Sequence, residues 1–208
     1  RPLLLKISPD LATSELDEAH ADIRHDLANS HTPRTAPGFI VEALALRRAA
    51  RIKPFSVLSC DNLPNNGATA RNVVMRLAAL RDADFGKWVA GEVAFPSTMV
   101  DRIVPATTDE DRARISQRLG FSDAWPVVTE PFSQWVIEDH FSNGRPRFED
   151  SGAKLVKDVA PFELAKLRLL NGSHSTLAYL SYLAGYETVS DVMADTNFAT
   201  LIADMMQQ

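Results

Sequence analysis

The clearest periodicity in the chain lies in its last third. From Pro161 to Thr176, leucine, alanine and lysine are interrupted by single polar groups at helical spacing. Pro161 suits a first helical turn, where its missing N–H costs nothing. Glu163 in that turn suits the positive end of the helix dipole. Taking Glu163 as 0° and about 100° per residue, Lys166 falls near about −60°, Leu170 near about −20°, His174 near about +20° and Asn171 near about +80°. This arc also carries the large aliphatics Leu167 and Leu170, so it is predicted to be the buried one. A lysine there has its charged form disfavoured, which lowers its pKa and suits it to act as a base near neutral pH. An ordinary amphipathic helix with Lys, Asn and His at the edge of a core accounts for the same pattern, and on the helix alone both readings stand.

Upstream the pattern is mixed. Residues 1–8 suit a strand fragment. Residues 9–37 are polar and proline-punctuated, a surface connection with a short helix near 17–27. A helix is predicted over 39–51, with Ile40, Leu44 and the basic pair Arg47-Arg48 setting its period. Phe55, Val57 and Leu58 suit a buried strand that ends in Ser59, Asp61 and Asn62. Helices follow over 68–80 and 84–93, the second with Trp88 turned inward. Residues 94–105 read as extended, with Asp101 beside Arg102. A charged, solvated helix is predicted over 108–119. Strands over 127–130 and 134–138 are split by Pro131, and a turn is expected at 143–146. From about Ala153 the pattern becomes helical, with final helices reaching Tyr186 and running over 190–206. The fold class is therefore α/β: a sheet domain over 1–153, then an all-helical region over 154–208. Ligands of such sheets bind at the carboxyl ends of strands, which makes Ser59, Asp61 and Asn62 candidates. The same residues also favour a plain turn, and Asp101 with Arg102 also reads as a simple ion pair.

Composition narrows the function classes. The 208 residues are 45% hydrophobic with a formal net charge of −5, which argues against nucleic acid or an anionic membrane as the main partner. The single cysteine, Cys60, leaves no disulfide framework or cysteine-cluster metal site. A reducing, cytoplasmic setting is the natural expectation. No apolar run is long enough to span a membrane. The five histidines are scattered without metal-ligand spacing, so no metal is expected.

Four blocks in order make the chain specific. They are Ser59-Cys60-Asp61-Asn62-Leu63-Pro64-Asn65-Asn66-Gly67, the stretch from Phe95 through Val100 and Asp101 to Pro105, Gln134-Trp135-Val136-Ile137-Glu138-Asp139, and Lys166-x5-Asn171-x2-His174. Together they resemble the long-chain polyol dehydrogenases, a family that includes mannitol 2-dehydrogenase and fructuronate reductase (mannonate oxidoreductase). The resemblance runs from about Asp22 to the end. The resemblance implies NAD(P)-dependent, metal-independent hydride transfer at a secondary alcohol or ketone of a small polyol or sugar acid. D-mannonate/D-fructuronate is the first expectation and D-mannitol/D-fructose the alternative. By resemblance, Lys166 is the general acid/base, and Asn62 and Asn171 hold the reacting oxygen. His174 binds substrate, Val100 and Asp101 line the nicotinamide and substrate side, and Glu163 relays the proton to solvent. The site is expected in a cleft between the two domains.

The chain departs from that family in one respect that matters. None of its nine glycines forms the G-x-G-x-x-G turn that cradles a pyrophosphate; by the resemblance, 1–153 is expected to be a partial Rossmann-like domain without its dinucleotide-binding half, and 154–208 the start of a truncated all-helical domain. The competing expectation is therefore a catalytically incompetent, truncated remnant that only folds and associates.

Overall fold

The computed structural model describes residues 3–5 and 15–207. It divides into two compact units, Arg1–Lys157 and Asp158–Gln208. The first unit contains β1 (Leu3–Leu5), α1 (Ala21–Ala28), α2 (Ala36–Ala49), β2 (Val57–Ser59), α3 (Asn66–Arg81), α4 (Ala83–Glu92), β3 (Thr98–Asp101), α5 (Asp109–Leu119), β4 (Gln134–Glu138) and β5 (Lys154–Val156). β1 pairs in parallel with β2, Leu4 opposite Leu58. β3 and β4 are antiparallel, Thr98 opposite Ile137, and β4 pairs in parallel with β5. The mixed α/β class is as expected. Residues 1–2 and 6–14, which take in both ends of the expected strand over 1–8 and the start of the expected polar connection over 9–37, lie outside the described residues.

The core of this unit is helical packing over β2. Ile23 of α1, Ile40, Val41 and Leu44 of α2, Val57, and Val74 and Leu77 of α3 are buried together with Phe85 and Val89 of α4. Each such side chain contributes about 1.5–3 kcal/mol through burial. Trp88 is only half-buried, stacked on Phe85 with ring centroids 6.0 Å apart. α5 buries nothing, as its charge pattern predicts, and it starts in a Thr108–Asp111 capping box.

α2 begins three residues earlier than its periodicity suggests, because Thr35 caps it and Pro37 occupies its first turn. The cap is held in turn by buried Asp26. The Asp26 carboxylate accepts from Thr35 Oγ1 at 2.6 Å, Arg34 N–H at 2.7 Å and Thr35 N–H at 3.0 Å, while Thr35 Oγ1 accepts from Gly38 N–H at 3.0 Å. One acid therefore fixes the connection between the first two helices.

Three expectations are corrected. Residues 127–130 are not a strand: Glu130 instead exchanges bonds with Ile103, accepting its N–H at 2.7 Å through Oε1 and donating its own N–H to the Ile103 carbonyl at 3.2 Å. Residues 154–156 are a strand, β5, where a helical pattern was expected from about Ala153. The expected helix over 190–206 is broken into α8 (Val189–Ala194) and α9 (Thr196–Gln207). Asp195 makes that break. It adopts an extended backbone, and its carboxylate accepts the Asn197 N–H at 2.8 Å and the Tyr186 hydroxyl at 2.6 Å.

The second unit starts with α6 (Ala160–Ala165) and α7 (Gly172–Leu183), and with α8 and α9 it closes on Leu177, Val192 and Ile202. Tyr186 and Phe198 meet edge-on beside them, with centroids 5.6 Å apart. Among the described residues no helix is long and apolar enough to cross a membrane.

Burial alone would push the Asp26 carboxyl up, but hydrogen bonds from Thr35, the Arg34 N–H and His25 outweigh it and hold the pKa below the ordinary carboxylate value. A depressed folded pKa contributes stability that is complete above the unfolded value, about 4, and is lost as pH falls through the folded value. Asp26→Ala leaves two backbone N–H groups without their acceptor and should cost about 2–3 kcal/mol. Urea denaturation at pH 7 and pH 3 checks this: the deficit of the variant should shrink on acidification.

Candidate active site

The residues expected at the site form two groups, one in each unit. In the first, Asn62 lies exposed in the turn after β2, and Val100 and Asp101 are half-buried at the carboxyl end of β3. These are strand ends, where an open α/β sheet places its ligands. The turn and the strand are joined by a buried amide. Asn66 Nδ2 donates to the Asp61 carbonyl at 2.8 Å and to the Thr98 carbonyl at 2.9 Å, and Asn66 Oδ1 accepts the Thr98 N–H at 2.9 Å. Thr98 Oγ1 donates to the Ser59 carbonyl at 2.7 Å. Ser59 and Asp61 are buried within the turn, so their part is to shape it.

Two backbone features make this join possible. Asn65 sits in the left-handed region at φ 51°, which asparagine tolerates better than most residues, and it starts α3 abruptly. Gly67 then lies against the 95–97 backbone. A Cβ there would meet the Phe95 carbonyl oxygen at 2.5 Å and the Ser97 nitrogen at 2.7 Å. Next to Asp101, the Arg102 guanidinium donates to the Phe132 carbonyl at 3.1 Å and the Pro131 carbonyl at 3.3 Å, tying the strand end to that loop.

In the second unit the expected α-helix over 161–176 is corrected. Lys166–Asn171 is a π-helical turn between α6 and α7. The Gly172 N–H reaches back to the Leu167 carbonyl, five residues earlier, and also to that of Leu169. Two side-chain hydroxyls add bonds to carbonyls at and after this turn. The Ser173 hydroxyl donates to the Leu169 carbonyl, and Thr176 Oγ1 donates to the Gly172 carbonyl at 3.0 Å.

The change of register matters for chemistry. In an α-helix Lys166 and Asn171 stand about 140° apart. With i→i+5 hydrogen bonding the turn is wider and the two stand closer together around the axis, and such turns are frequent at functional sites. Glu163 lies one α-turn before Lys166, and His174 one α-turn after Asn171. Glu163, Lys166 and Asn171 are half-buried and His174 is exposed. The predicted burial of this arc is not found, since Leu164, Leu167 and Leu169 are 45%, 55% and 45% exposed. The helix that was expected to desolvate Lys166 does not do so with its own leucines.

A groove of about 640 Å³ also lies in the first unit, lined by Arg47, Phe55, Leu58, Phe141, Arg145 and Phe148 among others. It flanks the amino end of β2, away from Asn62, and none of the expected site residues lines it. Among the described residues no His, Cys, Asp or Glu cluster of metal-binding kind occurs.

Residues 7–150 match the mannitol dehydrogenase Rossmann domain, and residues 158–208 match the mannitol dehydrogenase C-terminal domain. The chain belongs to the mannitol dehydrogenase family. Within that family it is 49% identical over 199 residues to D-mannonate oxidoreductase of Escherichia coli, covering 96% of this chain and 41% of that protein. It is likewise 49% identical over 201 residues to mannitol 2-dehydrogenase of Aspergillus terreus, covering 94% of this chain and 40% of that protein. Its structure superposes on Pseudomonas fluorescens mannitol 2-dehydrogenase, solved as a ternary complex with NAD and D-mannitol. The TM-score is 0.81 at 44% identity, over 99% of this chain and 43% of that one. The chain thus spans about two fifths of the length of these family members.

Sequence reasoning missed Asn66, Thr98 and Gly67 as parts of the site. Asn65-Asn66-Gly67 reads as turn chemistry, and only the fold shows that Asn66 is 1% exposed and bonded across to β3.

Two glycine-to-alanine changes should move stability in opposite directions. Gly67→Ala forces a Cβ into backbone and should cost about 1–3 kcal/mol. At Gly172 the nearest atom to an added Cβ is the Leu167 carbonyl oxygen at 3.7 Å, an ordinary contact. Gly172→Ala should therefore stabilise by about 0.5–1 kcal/mol. Thermal unfolding of the two variants checks both signs.

Proposed function

We propose that this chain carries the catalytic groups of an NAD(P)-dependent oxidoreductase that interconverts a secondary alcohol and a ketone of a polyol or sugar acid. The observation that carries the reading is the π-turn. Its wider winding supports a placement of Lys166 and Asn171 closer together around the helix, in a chain that belongs to the mannitol dehydrogenase family.

Oxidation removes a proton from the substrate hydroxyl and a hydride from its carbon. The nicotinamide, when bound, takes up or returns that hydride. When deprotonated, Lys166 Nζ accepts the hydroxyl proton and returns it in the reverse direction. The side-chain N–H groups of Asn62 and Asn171 donate to the oxygen as negative charge develops, and one such donor contributes about 3–4 kcal/mol to the transition state. Glu163, one turn before Lys166, carries the proton onward to solvent. His174 binds a further substrate hydroxyl. Lys166 with two amides does the work that a metal performs elsewhere.

The residues present fit only part of the dinucleotide. Val100 and Asp101 offer a half-buried strand end for the nicotinamide side. None of the nine glycines supplies a G-x-G-x-x-G cradle for the pyrophosphate. The 208-residue chain by itself should bind NADH weakly, and micromolar affinity in a fluorescence titration would contradict that.

For the substrate, the block from Phe95 to Pro105 and that from Leu169 to Ser175 support D-mannonate/D-fructuronate. A second reading, D-mannitol/D-fructose, is favoured by Arg102. Its guanidinium is engaged by the Pro131 and Phe132 carbonyls, which leaves it poorly placed to meet a substrate carboxylate. The ratio of kcat/KM for fructuronate over fructose separates the two.

Lys166→Ala in the active enzyme should lower kcat by about 10²–10⁴-fold while leaving the circular dichroism spectrum unchanged. Turnover at the level of the unmodified enzyme would remove Lys166 from the role of base.

A further inference from the structure

The Asn66 amide is saturated in a way that a helix-starting asparagine does not require. Its side chain is buried at 1% exposure. Nδ2 faces two carbonyls, of Asp61 at 2.8 Å and Thr98 at 2.9 Å, with Thr98 Oγ1 at 3.3 Å. Oδ1 faces one N–H, of Thr98 at 2.9 Å. The partners fix which end of the amide is which, since carbonyls accept and an N–H donates. No residue with fewer donors and acceptors satisfies the same set.

The Asp61 carbonyl belongs to the peptide plane that also contains the Asn62 nitrogen. The Asn66 amide therefore grips the backbone at the entrance to Asn62 itself. Three residues earlier, the Ser59 carbonyl is held by Thr98 Oγ1 at 2.7 Å. The turn is fastened to Thr98, two residues before Val100 and three before Asp101, directly at Ser59 and through Asn66 at Asp61. Thr98 in turn is registered on β4 opposite Ile137. Gly67, pressed on the 95–97 backbone, lets α3 approach closely enough for the amide to reach.

We infer that Asn66 is a positioning residue: through the Asp61 carbonyl and Thr98, its amide holds the oxygen-binding Asn62 in register with the strand that ends in Val100 and Asp101. The inference rests on the role proposed above for Asn62. A reacting geometry displaced by about 1 Å can lose on the order of 10²-fold in rate, and freeing this turn permits such displacements.

The test has two readouts. In the 208-residue chain, the side-chain amide signals of Asn62 in 15N-resolved spectra should shift or split in Asn66→Ala and in Thr98→Val. They should stay as in the unmodified chain in Thr98→Ser, which keeps the hydroxyl. Methyl signals of Leu44 and Ile40 should not move. In the active enzyme, Asn66→Ala should lower kcat by about 10–100-fold with KM changed by less than about 3-fold, and Thr98→Ser should keep most of the activity. Combined with Asn62→Ala, Asn66→Ala should add less than about 3-fold, because the two act as one unit. Unmoved Asn62 signals in folded Asn66→Ala overturn the inference, as does an equal loss of kcat with and without Asn62. If Asn66→Ala does not fold, Thr98→Val carries both comparisons. A normal kcat in Asn62→Ala alone would instead sink the proposed function, and the spectra would still judge the positioning.

Discussion

The first unit depends on one close approach, between the amino end of α3 and the backbone that leads into β3. Gly67 permits it by lacking a Cβ, and the Asn66 amide completes it with bonds to Asp61 and Thr98. Removed from water, such groups are costly unless fully paired, so the set either forms as a whole or disrupts the join. That all-or-none character gives the turn around Asn62 a single position. The Asp26 network plays the corresponding part between α1 and α2, where one buried acid sets the Thr35 cap.

The second unit solves its own positioning problem differently. In the function proposed for it, Lys166 and Asn171 face the same oxygen, and an α-helix keeps positions five apart well separated. The π-turn draws them closer around the axis, and the Ser173 and Thr176 hydroxyls add bonds to the Leu169 and Gly172 carbonyls beside it. On that reading each unit presets one amide by local hydrogen bonding, Asn62 through Asn66 and Asn171 through the turn. Preset donors are the kind that stabilise a developing alkoxide without reorganising when the reaction occurs.

Much of this was legible in the sequence, for reasons that differ by element. α5 was plain, because its run of charged residues marks a solvated helix, and nothing on it is buried. The alternation of strands and helices up to β4 followed from short apolar runs ended by polar turns. The family was legible because Asn62, Asp101, Lys166, Asn171 and His174 stand in blocks that resemble it. The π-turn was not legible, since residues 166–171 are ordinary helix formers and the extra residue in the turn leaves no mark in composition. The strand β5 was hidden by its shortness. Neither was the exposure of Leu164, Leu167 and Leu169 foreseen, because periodicity tells which residues share a face and not whether anything covers it. The Asn66 bridge joins residues 32 apart, a distance at which local pattern carries no information.

The central claim is that Lys166 exchanges the substrate proton while the two amides hold the oxygen. Chemical rescue tests it most directly. In the active enzyme carrying Lys166→Ala, small primary amines added to the assay should restore turnover in proportion to their concentration, and the rescued rate should rise with amine basicity. Lysine-free turnover that is insensitive to added amine and follows the same pH profile as the unmodified enzyme would contradict the account.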